Sequence, residues 1–425
     1  MAAAKVCLAS RLSGGEGDPM HVTLVLTHEC NLACTYCYAG EKFRKDMDWD
    51  TAVRAMELAL NAPRRRYPWQ DDDAPVDIGF FGGEPLIAWD TLVRACEYAR
   101  ARAKELGRTL RLAVTTNGTL LTPERAKVLR TLGVEVTLSL DGVREAHEAT
   151  RPQRGGRSSF DDVVRGAHHL LDAGAHLDVI AVVAPQNVAH LGDSVRFLAD
   201  LGARQIILNP CFEEAWSDAQ LELWEKGLRD AAEVYAASMR RGRALAMPTF
   251  DNKLLAAAKG GLASCDTCGS GERELAVAPS GNLYPCARMV GEDRDHTLVL
   301  GTLETGVIAA KSLGQPKGPA DPACETCAEK WRCGASCACA NLAETGTTHL
   351  PGGTQCWYEQ ASARIADEVG ARLLEARDPT FIAWIYGRVH DAAEALRARQ
   401  TAPAADEPHG VRRVRRLPVV SAPNF

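Results

Sequence analysis

The sequence predicts an α/β fold built on parallel strands. The chain has 425 residues, of which 46% are hydrophobic, so it is long enough to bury a large core without disulfide crosslinks. From about residue 22 to residue 250, short apolar runs alternate with amphipathic helical segments. This alternation is typical of parallel strands joined by crossover helices. Periodicity alone leaves a partial barrel, a complete barrel and an open doubly wound sheet as alternatives.

The elements follow one another in order along the chain. Six apolar runs are the candidate strands: 22–26, 76–81, 110–114, 134–140, 177–183 and 204–209. Helices are predicted between them, for example over 49–62, 89–106 and 123–133, with Asp or Thr near their first residues. Parallel folds of either kind bind ligands at the C-terminal ends of their strands. We therefore expect the chemistry of this protein in the loops that follow the strands.

Composition divides the whole chain into five parts. They are a Gly-rich leader (1–21), the strand region (22–250), a cysteine-rich segment (251–360), C-terminal helices (361–400) and a Pro- and Ala-rich tail (401–425). The helical patterns over 357–376 and 379–400 are amphipathic, and we expect them to pack on the core. The tail has few large apolar residues, so we expect it to be mobile.

Charge and hydropathy exclude several classes of function. The formal net charge is -6 at pH 7 and the sequence pI is about 6.0, which argues against nucleic acid as a partner because phosphate contacts need a basic surface. The chain shows no apolar signal-peptide segment near its start and no apolar run long enough to span a membrane. We therefore expect a cytoplasmic protein that does not bind membranes.

Fifteen cysteines in such a protein indicate metal binding or catalysis, since disulfides are rare in a reducing compartment. Cys30, Cys34 and Cys37 follow the first predicted strand with the spacing C-x3-C-x2-C; we call them the first cysteine motif. Three thiolates leave one position of a metal site open. Zinc is an alternative, but the spacing suits a zinc knuckle poorly. An iron-sulfur cluster with one iron open to a ligand fits better.

The first cysteine motif resembles that of the radical S-adenosylmethionine (SAM) enzymes, in which C-x3-C-x2-C holds a 4Fe-4S cluster that binds SAM. Three further motifs strengthen the resemblance: FFGGEPL after the second strand, TTNGTLL after the third and SLDG after the fourth. The resemblance implies a partial (β/α)6 TIM-like barrel. It also implies contacts to the cluster or to SAM from Tyr36, Gly82, Gly83, Glu84, Pro85, Asn117, Ser139 and Arg151. Glycines permit close backbone approach, and a carboxylate attracts the SAM ammonium group.

The cysteine-rich segment resembles the SPASM extension of radical SAM peptide maturases, which carries two auxiliary 4Fe-4S clusters. From Cys268 the pattern is C-x12-G-x4-C, followed by C-x2-C-x5-C-x3-C and a final cysteine. A zinc ribbon is the alternative, but the 55 residues between Cys268 and Cys324 exceed its usual spacing. The resemblance implies one auxiliary cluster on Cys265, Cys268, Cys286 and Cys337, and a second on Cys324, Cys327, Cys333 and Cys356. Cys339 falls outside the family pattern.

The resemblance implies three 4Fe-4S clusters, SAM, and oxidative modification of a ribosomally made peptide, for example by a thioether or carbon-carbon crosslink. A radical SAM dehydrogenase or decarboxylase acting on a small metabolite is the alternative. Sulfatase maturases of this family usually carry an Asp base where this chain has Ala287, which argues against that activity. Cys211, after the sixth strand, is a further candidate catalytic residue.

The implied partners are a precursor peptide, a flavodoxin- or ferredoxin-type reductant and a separate peptide-recognition protein. The last is expected because few residues precede the first predicted strand.

Overall fold

A computed structural model describes residues 21–62, 75–262, 266, 268–271, 273–294, 296–307, 321–335, 337–387 and 389. The predicted leader, apart from His21, and the predicted tail lie outside these residues, as do Cys265 and the end of the last predicted helix.

Six parallel strands form the central sheet, as the sequence predicts. They are β1 (His21–Val25), β2 (Val76–Phe81), β3 (Leu110–Thr116), β4 (Val134–Ser139), β5 (Asp178–Val183) and β6 (Gln205–Pro210). They lie side by side in chain order, and each pair is parallel. Their buried Val, Ile, Leu and Phe side chains belong to the main hydrophobic core. The sheet has the order of a partial (β/α)6 barrel, which resolves the choice that periodicity left open.

Helices connect consecutive strands and cover the outside of the sheet. They are α1 (Trp49–Leu60), α2 (Trp89–Glu105), α3 (Pro123–Thr131), α4 (Arg144–Glu148), α5 (Phe160–Asp172) and α6 (Leu191–Leu201). Two of them, α1 and α3, begin with a side-chain cap. Asp48 accepts a hydrogen bond from the Thr51 backbone N–H at the start of α1, and Thr122 caps α3 in the same way. Predicted and observed helix ends agree within two residues for α1, α2 and α3.

The cysteine-rich segment continues the barrel sheet beyond β1. Its strands are β7 (Glu274–Val277), β8 (Asn282–Tyr284), β9 (Gly301–Thr302) and β10 (Gly306–Val307). Strand β7 pairs in parallel with β1, and the pairs from β7 to β10 are antiparallel. The described helices of this segment before the long C-terminal helix are α9 (Pro322–Glu325) and α10 (Ala338–Thr345). The two parts of the chain therefore share one ten-stranded sheet.

Long helices that follow β6 and the cysteine-rich segment pack against one another. After β6 come α7 (Asp218–Arg240) and α8 (Pro248–Ala258), and after the cysteine-rich segment come α11 (Gly353–Glu375) and the short α12 (Pro379–Ile382). Helix α11 packs on both α7 and α8. Trp224 of α7 is fully buried. Its ring stacks on Tyr358 of α11 and lies tilted against Trp357 of the same helix.

Three ion pairs also join α7 to α11: Arg229–Glu368, Glu225–Arg364 and Glu233–Arg372. The prediction that the C-terminal helical patterns pack on the core is thus confirmed for α11. The predicted domain boundary at residue 250 falls within α8 and stays a prediction. None of the helices within the described ranges is apolar over a length that would cross a bilayer.

Candidate active site

A cavity of about 370 Å³ opens at the C-terminal ends of the barrel strands. It gathers residues from six separate stretches of the sequence. The predicted site residues that line it are Cys30, Cys34, Tyr36, Cys37, Gly82, Gly83, Glu84, Asn117, Ser139, Arg151, Cys211 and Cys286. Pro85 lies behind this wall, buried at the start of a single 3-10 turn that Glu84 caps. The motifs therefore converge on one site, as expected for strand ends of a parallel sheet.

The loop that carries the first cysteine motif is fixed by its neighbours. The backbone N–H groups of Ala33 and Thr35 donate to the carbonyl oxygens of Pro152 and Thr150, at 2.9 Å each. On its other side, the Asn117 side chain donates to Asn31 at 2.9 Å and lies 3.9 Å from the Cys30 sulfur. The loop is thus held between the ends of β3 and β4, and its three thiols face the cavity.

Gly82 and Gly83 are needed because two loops cross here at close range. The Gly83 N–H donates to the Thr27 carbonyl at 2.8 Å, and the Glu84 N–H donates to the Glu29 carbonyl at 2.8 Å. A Cβ atom on Gly82 would collide with the Thr27 carbonyl oxygen, and one on Gly83 with that of Glu29. Gly82 also has φ of 150°, a conformation that other residues rarely adopt. The GGEP motif therefore supports the cysteine loop directly.

Glu84 is fully buried, and its carboxylate is bound by the chain itself. It accepts hydrogen bonds from the Thr116 hydroxyl at 2.7 Å, the Asn117 N–H at 2.7 Å and the Leu86 N–H at 2.9 Å. Burial raises the pKa of Glu84, and these three donors oppose that rise. The side chain thus ties the end of β2 to the end of β3.

Arg151 is held in the cavity wall by a buried carboxylate. Its Nε atom lies 3.1 Å from Oδ1 of Asp141, and its guanidinium carbon lies 5.3 Å from the centre of the Tyr36 ring. Asp141 also accepts hydrogen bonds from the Tyr36 hydroxyl at 2.7 Å and the Thr150 hydroxyl at 2.8 Å. Burial is the largest single influence and would lower the pKa of Arg151, but Asp141, Tyr36 and Cys34 together outweigh it, so the pKa is raised. A permanent positive charge therefore faces the first cysteine motif.

His147 supports the same network from behind. Its Nδ1 atom accepts from the Asp141 backbone N–H at 3.4 Å, and its Nε2–H lies 2.9 Å from the Ser159 hydroxyl. That hydroxyl in turn donates to the Arg151 carbonyl at 2.6 Å. Burial lowers the pKa of His147 to about 4, so the ring is neutral at pH 7. This tautomer keeps both ends of the Asp141–Arg151 pair in position.

The thiols of the first cysteine motif suit a bound iron-sulfur cluster. Burial raises the pKa of Cys30 to about 12, and burial also raises the pKa of Cys34. Two cations lie beside them: the Lys42 ammonium is 3.0 Å from the Cys37 sulfur, and Arg151 Nη1 is 3.9 Å from the Cys34 sulfur. Thiols that ionise with difficulty alone become thiolates when they bind metal, and the flanking cations offset the charge. The donor set therefore fits a three-thiolate iron-sulfur cluster.

The opposite wall of the cavity has a different chemistry. Glu213 forms an ion pair with Arg288, and Arg288 lies 5.1 Å from the centre of the Tyr38 ring. The Cys211 thiol donates to Glu213 at 3.5 Å. Burial raises the pKa of Cys211 to about 12, so this thiol is neutral. Ala287 lines the same wall and has no carboxylate. The carboxylate on this wall is that of Glu213, which the loop after β6 contributes.

Four thiols from the cysteine-rich segment lie in contact beside this wall; we call them the four-thiol group. Cys337 and Cys339 have their sulfur atoms 3.4 Å apart. Cys268 hydrogen bonds with Cys337, and Cys286 hydrogen bonds with Cys339. Three members were predicted as ligands of one cluster, whereas Cys339 was outside the family pattern. Cys265, the predicted fourth ligand, lies outside the described residues.

The ligands predicted for the second auxiliary cluster lie further along the segment. Cys327 raises the pKa of Cys324, and Cys324 and Cys327 both raise the pKa of Cys356, although burial is the larger cause for each. Cys333 instead lies beside the buried ion pair of Lys253 and Glu359. Within the described residues, no three His, Cys, Asp or Glu side chains enclose a single metal ion.

Sequence reasoning missed several residues of the site. Asp141 could have been predicted, because it is part of the SLDG motif and an Asp is a candidate ion-pair partner for the predicted Arg151. Lys42, Tyr38, Glu213 and Arg288 carry no motif, and only the folded chain brings them to the cavity.

Known proteins resemble this chain in sequence. The family model of the Radical SAM superfamily matches residues 24–198. Mycofactocin maturase MftC of Mycolicibacterium smegmatis is 30% identical over 289 residues, which are 66% of this chain and 67% of that protein. The serine-type anaerobic sulfatase-maturating enzyme of Klebsiella aerogenes is 28% identical over 357 residues, 79% of this chain and 83% of that enzyme. The uncharacterized protein MJ0907 of Methanocaldococcus jannaschii is 31% identical over 186 residues, but these span only 44% of this chain and 60% of that protein.

The fold also resembles a solved structure. Native anSMEcpe with bound AdoMet and Cp18Cys peptide matches with a TM-score of 0.66 and 19% identity, covering 88% of this chain and 99% of that one. This match extends through the cysteine-rich segment, which confirms the predicted partial barrel followed by a SPASM-type domain. The family model and the similarity to MftC lead to one conclusion: the chain belongs to the radical SAM superfamily of enzymes.

Proposed function

We propose that this enzyme cleaves SAM reductively and uses the resulting radical to oxidise a ribosomally made peptide, closing a crosslink such as a thioether or carbon-carbon bond. The observation that carries the proposal is the two-sided cavity. One wall presents the first cysteine motif, and the other presents Cys211, Glu213 and Arg288 with a cysteine of the four-thiol group beside them. A substrate between the walls would face a radical source on one side and a proton acceptor on the other.

The names of the relatives support the peptide as the substrate class. Two of them are maturases, and the similar solved structure contains a bound peptide. When bound, the clusters would supply one-electron chemistry: reductive cleavage of SAM to a 5'-deoxyadenosyl radical at the first cysteine motif, and removal of an electron from the substrate at the auxiliary sites. Cys30, Cys34 and Cys37 would hold the first cluster. Cys268, Cys286 and Cys337 would hold one auxiliary cluster, and Cys324, Cys327, Cys333 and Cys356 the other.

The residues of the chain divide the remaining work. The Gly82 and Gly83 backbone and Asn117 line the side on which SAM would bind, and the Arg151 charge offsets the negative charge of the thiolates. Tyr36 packs against Arg151 and limits its motion. These contacts position the reacting groups and exclude water from the cysteine loop.

Glu213 is the proton acceptor in this proposal. A crosslink removes two hydrogens from the peptide: one leaves as an atom to the deoxyadenosyl radical, and the other leaves as a proton and an electron. Glu213 lies in the cavity, and its ion pair with Arg288 orients its carboxylate. Ala287 cannot take this role, so a carboxylate contributed from the loop after β6 is the group available on this wall.

The proposal is tested with protein reconstituted with iron and sulfide under anaerobic conditions. We expect dithionite to drive formation of 5'-deoxyadenosine, and peptides encoded beside its gene to lose two hydrogens in mass. The Glu213→Gln variant should keep SAM cleavage but lose at least about tenfold in peptide product, since it removes only the proton acceptor. Asp218→Asn, an exposed change at the start of α7, is the control and should alter neither.

Two outcomes would contradict the proposal. Absence of SAM cleavage in iron-loaded protein would contradict the enzymatic half. Cleavage of SAM with turnover of a small metabolite, and with no change in peptide mass, would favour the metabolite-oxidising alternative.

A further inference from the structure

Cys339 is the member of the four-thiol group that the family pattern does not include. Cys339 lies in the first turn of α10, two residues after Cys337, which precedes that helix as its N-cap. A turn of helix therefore presents both thiols at one end of α10. Their sulfur atoms are 3.4 Å apart.

Cys339 links the two arms of the group. Through Cys337 it reaches Cys268, and by its own contact it reaches Cys286, which lies after β8 on the cavity wall. Cys339 thus connects Cys286 to Cys337 and, through Cys337, to Cys268. These four cysteines come from three separate stretches of sequence, and chance burial of a small apolar residue does not require such convergence.

The surroundings of Cys339 include the cation of Arg288. Arg288 and Tyr38 interact electrostatically with it, and both line the central cavity. A cation next to the group offsets the negative charge that four thiolates would leave on an iron-sulfur cluster. The thiols form a chain and do not enclose one point. Four convergent thiols match a 4Fe-4S cluster in number, since each of its four irons binds one thiolate.

We propose that Cys339 is the fourth protein ligand of the auxiliary cluster that Cys268, Cys286 and Cys337 would hold. This inference rests on the proposed function, because it presupposes that the auxiliary clusters exist. It replaces the family expectation that Cys265 completes the set. A cluster with four cysteine ligands has no iron open to a substrate, so this one would transfer electrons and would not bind the peptide directly.

The first experiment isolates the auxiliary clusters. In the Cys30/Cys34/Cys37→Ala background, the reconstituted protein should contain about eight irons per chain, the content of two 4Fe-4S clusters. Adding Cys339→Ala should remove at least one of these irons and produce a three-iron signal in the EPR spectrum of the oxidised protein. Adding Cys265→Ala should leave both readouts unchanged. Cys96→Ala, which removes a buried cysteine of α2, is the matched control.

A second measurement needs no variant of Cys339. In the fully loaded enzyme, native alkylation followed by mass spectrometry should find Cys339 protected and Cys265 modified, and chelation of iron should expose Cys339. Loss of iron on Cys265→Ala, with Cys339 alkylated in the loaded enzyme, would overturn the inference. SAM cleavage by the wild-type enzyme in the same preparation shows that the proposed function survives such a result. Absence of both iron and SAM cleavage would overturn the two proposals together.

Discussion

The two cysteine-bearing regions of the molecule are built in opposite ways. At the barrel mouth, the loop of the first cysteine motif is fixed by backbone hydrogen bonds to Thr150 and Pro152 and by the close approach of Gly82 and Gly83. In the cysteine-rich segment, the described strands have two to four residues, and α9 and α10 have four and eight. There the thiols contact one another. The sheet shapes the first site, whereas metal ligation is expected to shape the second.

The largest expected effect is a loss of SAM cleavage without a loss of folding when the three thiols at the barrel mouth are removed. In the Cys30/Cys34/Cys37→Ala variant, we expect SAM cleavage to fall by at least about 1,000-fold, because no group remains to bind the cluster. The thermal midpoint of unfolding should change by only about 4 °C or less, since the strand core does not depend on these thiols. Cys96→Ala is the control and should retain SAM cleavage. A collapse of the midpoint in the triple variant would show that this loop is not preformed.

Removal of iron should act on the other region. We expect the metal-free protein to be cleaved by protease within 321–356 at least about tenfold faster than the loaded protein, because local opening there is no longer opposed by the clusters. Sites within 134–201 should be cut equally slowly in both forms. The measurement is limited proteolysis under anaerobic conditions with fragments identified by mass. Equal protection of 321–356 in both forms would remove the contrast between the regions.

The third prediction tests how far the barrel mouth depends on one buried charge. Asp141→Asn leaves the cation of Arg151 buried without its partner, so we expect the free energy of unfolding to fall by about 3 to 5 kcal/mol. Asp77→Asn is the matched control, because Asp77 pairs with the partly exposed Arg111 at the other end of the sheet. It should cost about 1 kcal/mol or less. Denaturant unfolding measures both, and equal losses would contradict the role given to Asp141.

The smallest effect is a pH dependence at His147. Its pKa is about 4 in the folded protein and 6.5 in the unfolded chain. Between these values the unfolded state binds a proton that the folded state does not, so stability is lost as pH falls from about 6.5 towards about 4. The loss is at most about 3 kcal/mol and is absent above pH 6.5. His147→Gln should weaken this slope relative to wild type, whereas the exposed His168→Gln should not. Equal slopes of stability against pH in all three proteins would contradict this role of His147.

The strands and the first cysteine motif were predictable because both are local in the sequence. Apolar runs marked β1 to β6 to within a few residues, and the rule that sites lie at strand ends placed Cys30, Gly82, Asn117 and Ser139 together. The role of Glu84 was not predictable in the same way. Its carboxylate could bind a ligand or the chain, and only its contacts with Thr116 and Asn117 show that it binds the chain.

The cysteine-rich segment was predictable in pattern but not in contact. Spacing grouped the cysteines, yet spacing does not report which sulfurs meet in space. The contact of Cys339 with Cys286 arises from β8 and α10, which are more than fifty residues apart in the sequence. The Glu213–Arg288 pair is non-local in the same sense, and no local signal marks it.

The docking of α11 on α7 and α8 has a consequence for tolerance of sequence change. Both ends of the intervening chain, after α8 and before α11, are anchored to the barrel by packing and by the three ion pairs. The entropy of closing such a loop grows only with the logarithm of its length. Insertions in the loops between 259 and 352 therefore cost little while the helices stay docked and strands β7 to β10 stay paired. The loops of this segment can thus change in length without any change to the six strands of the barrel.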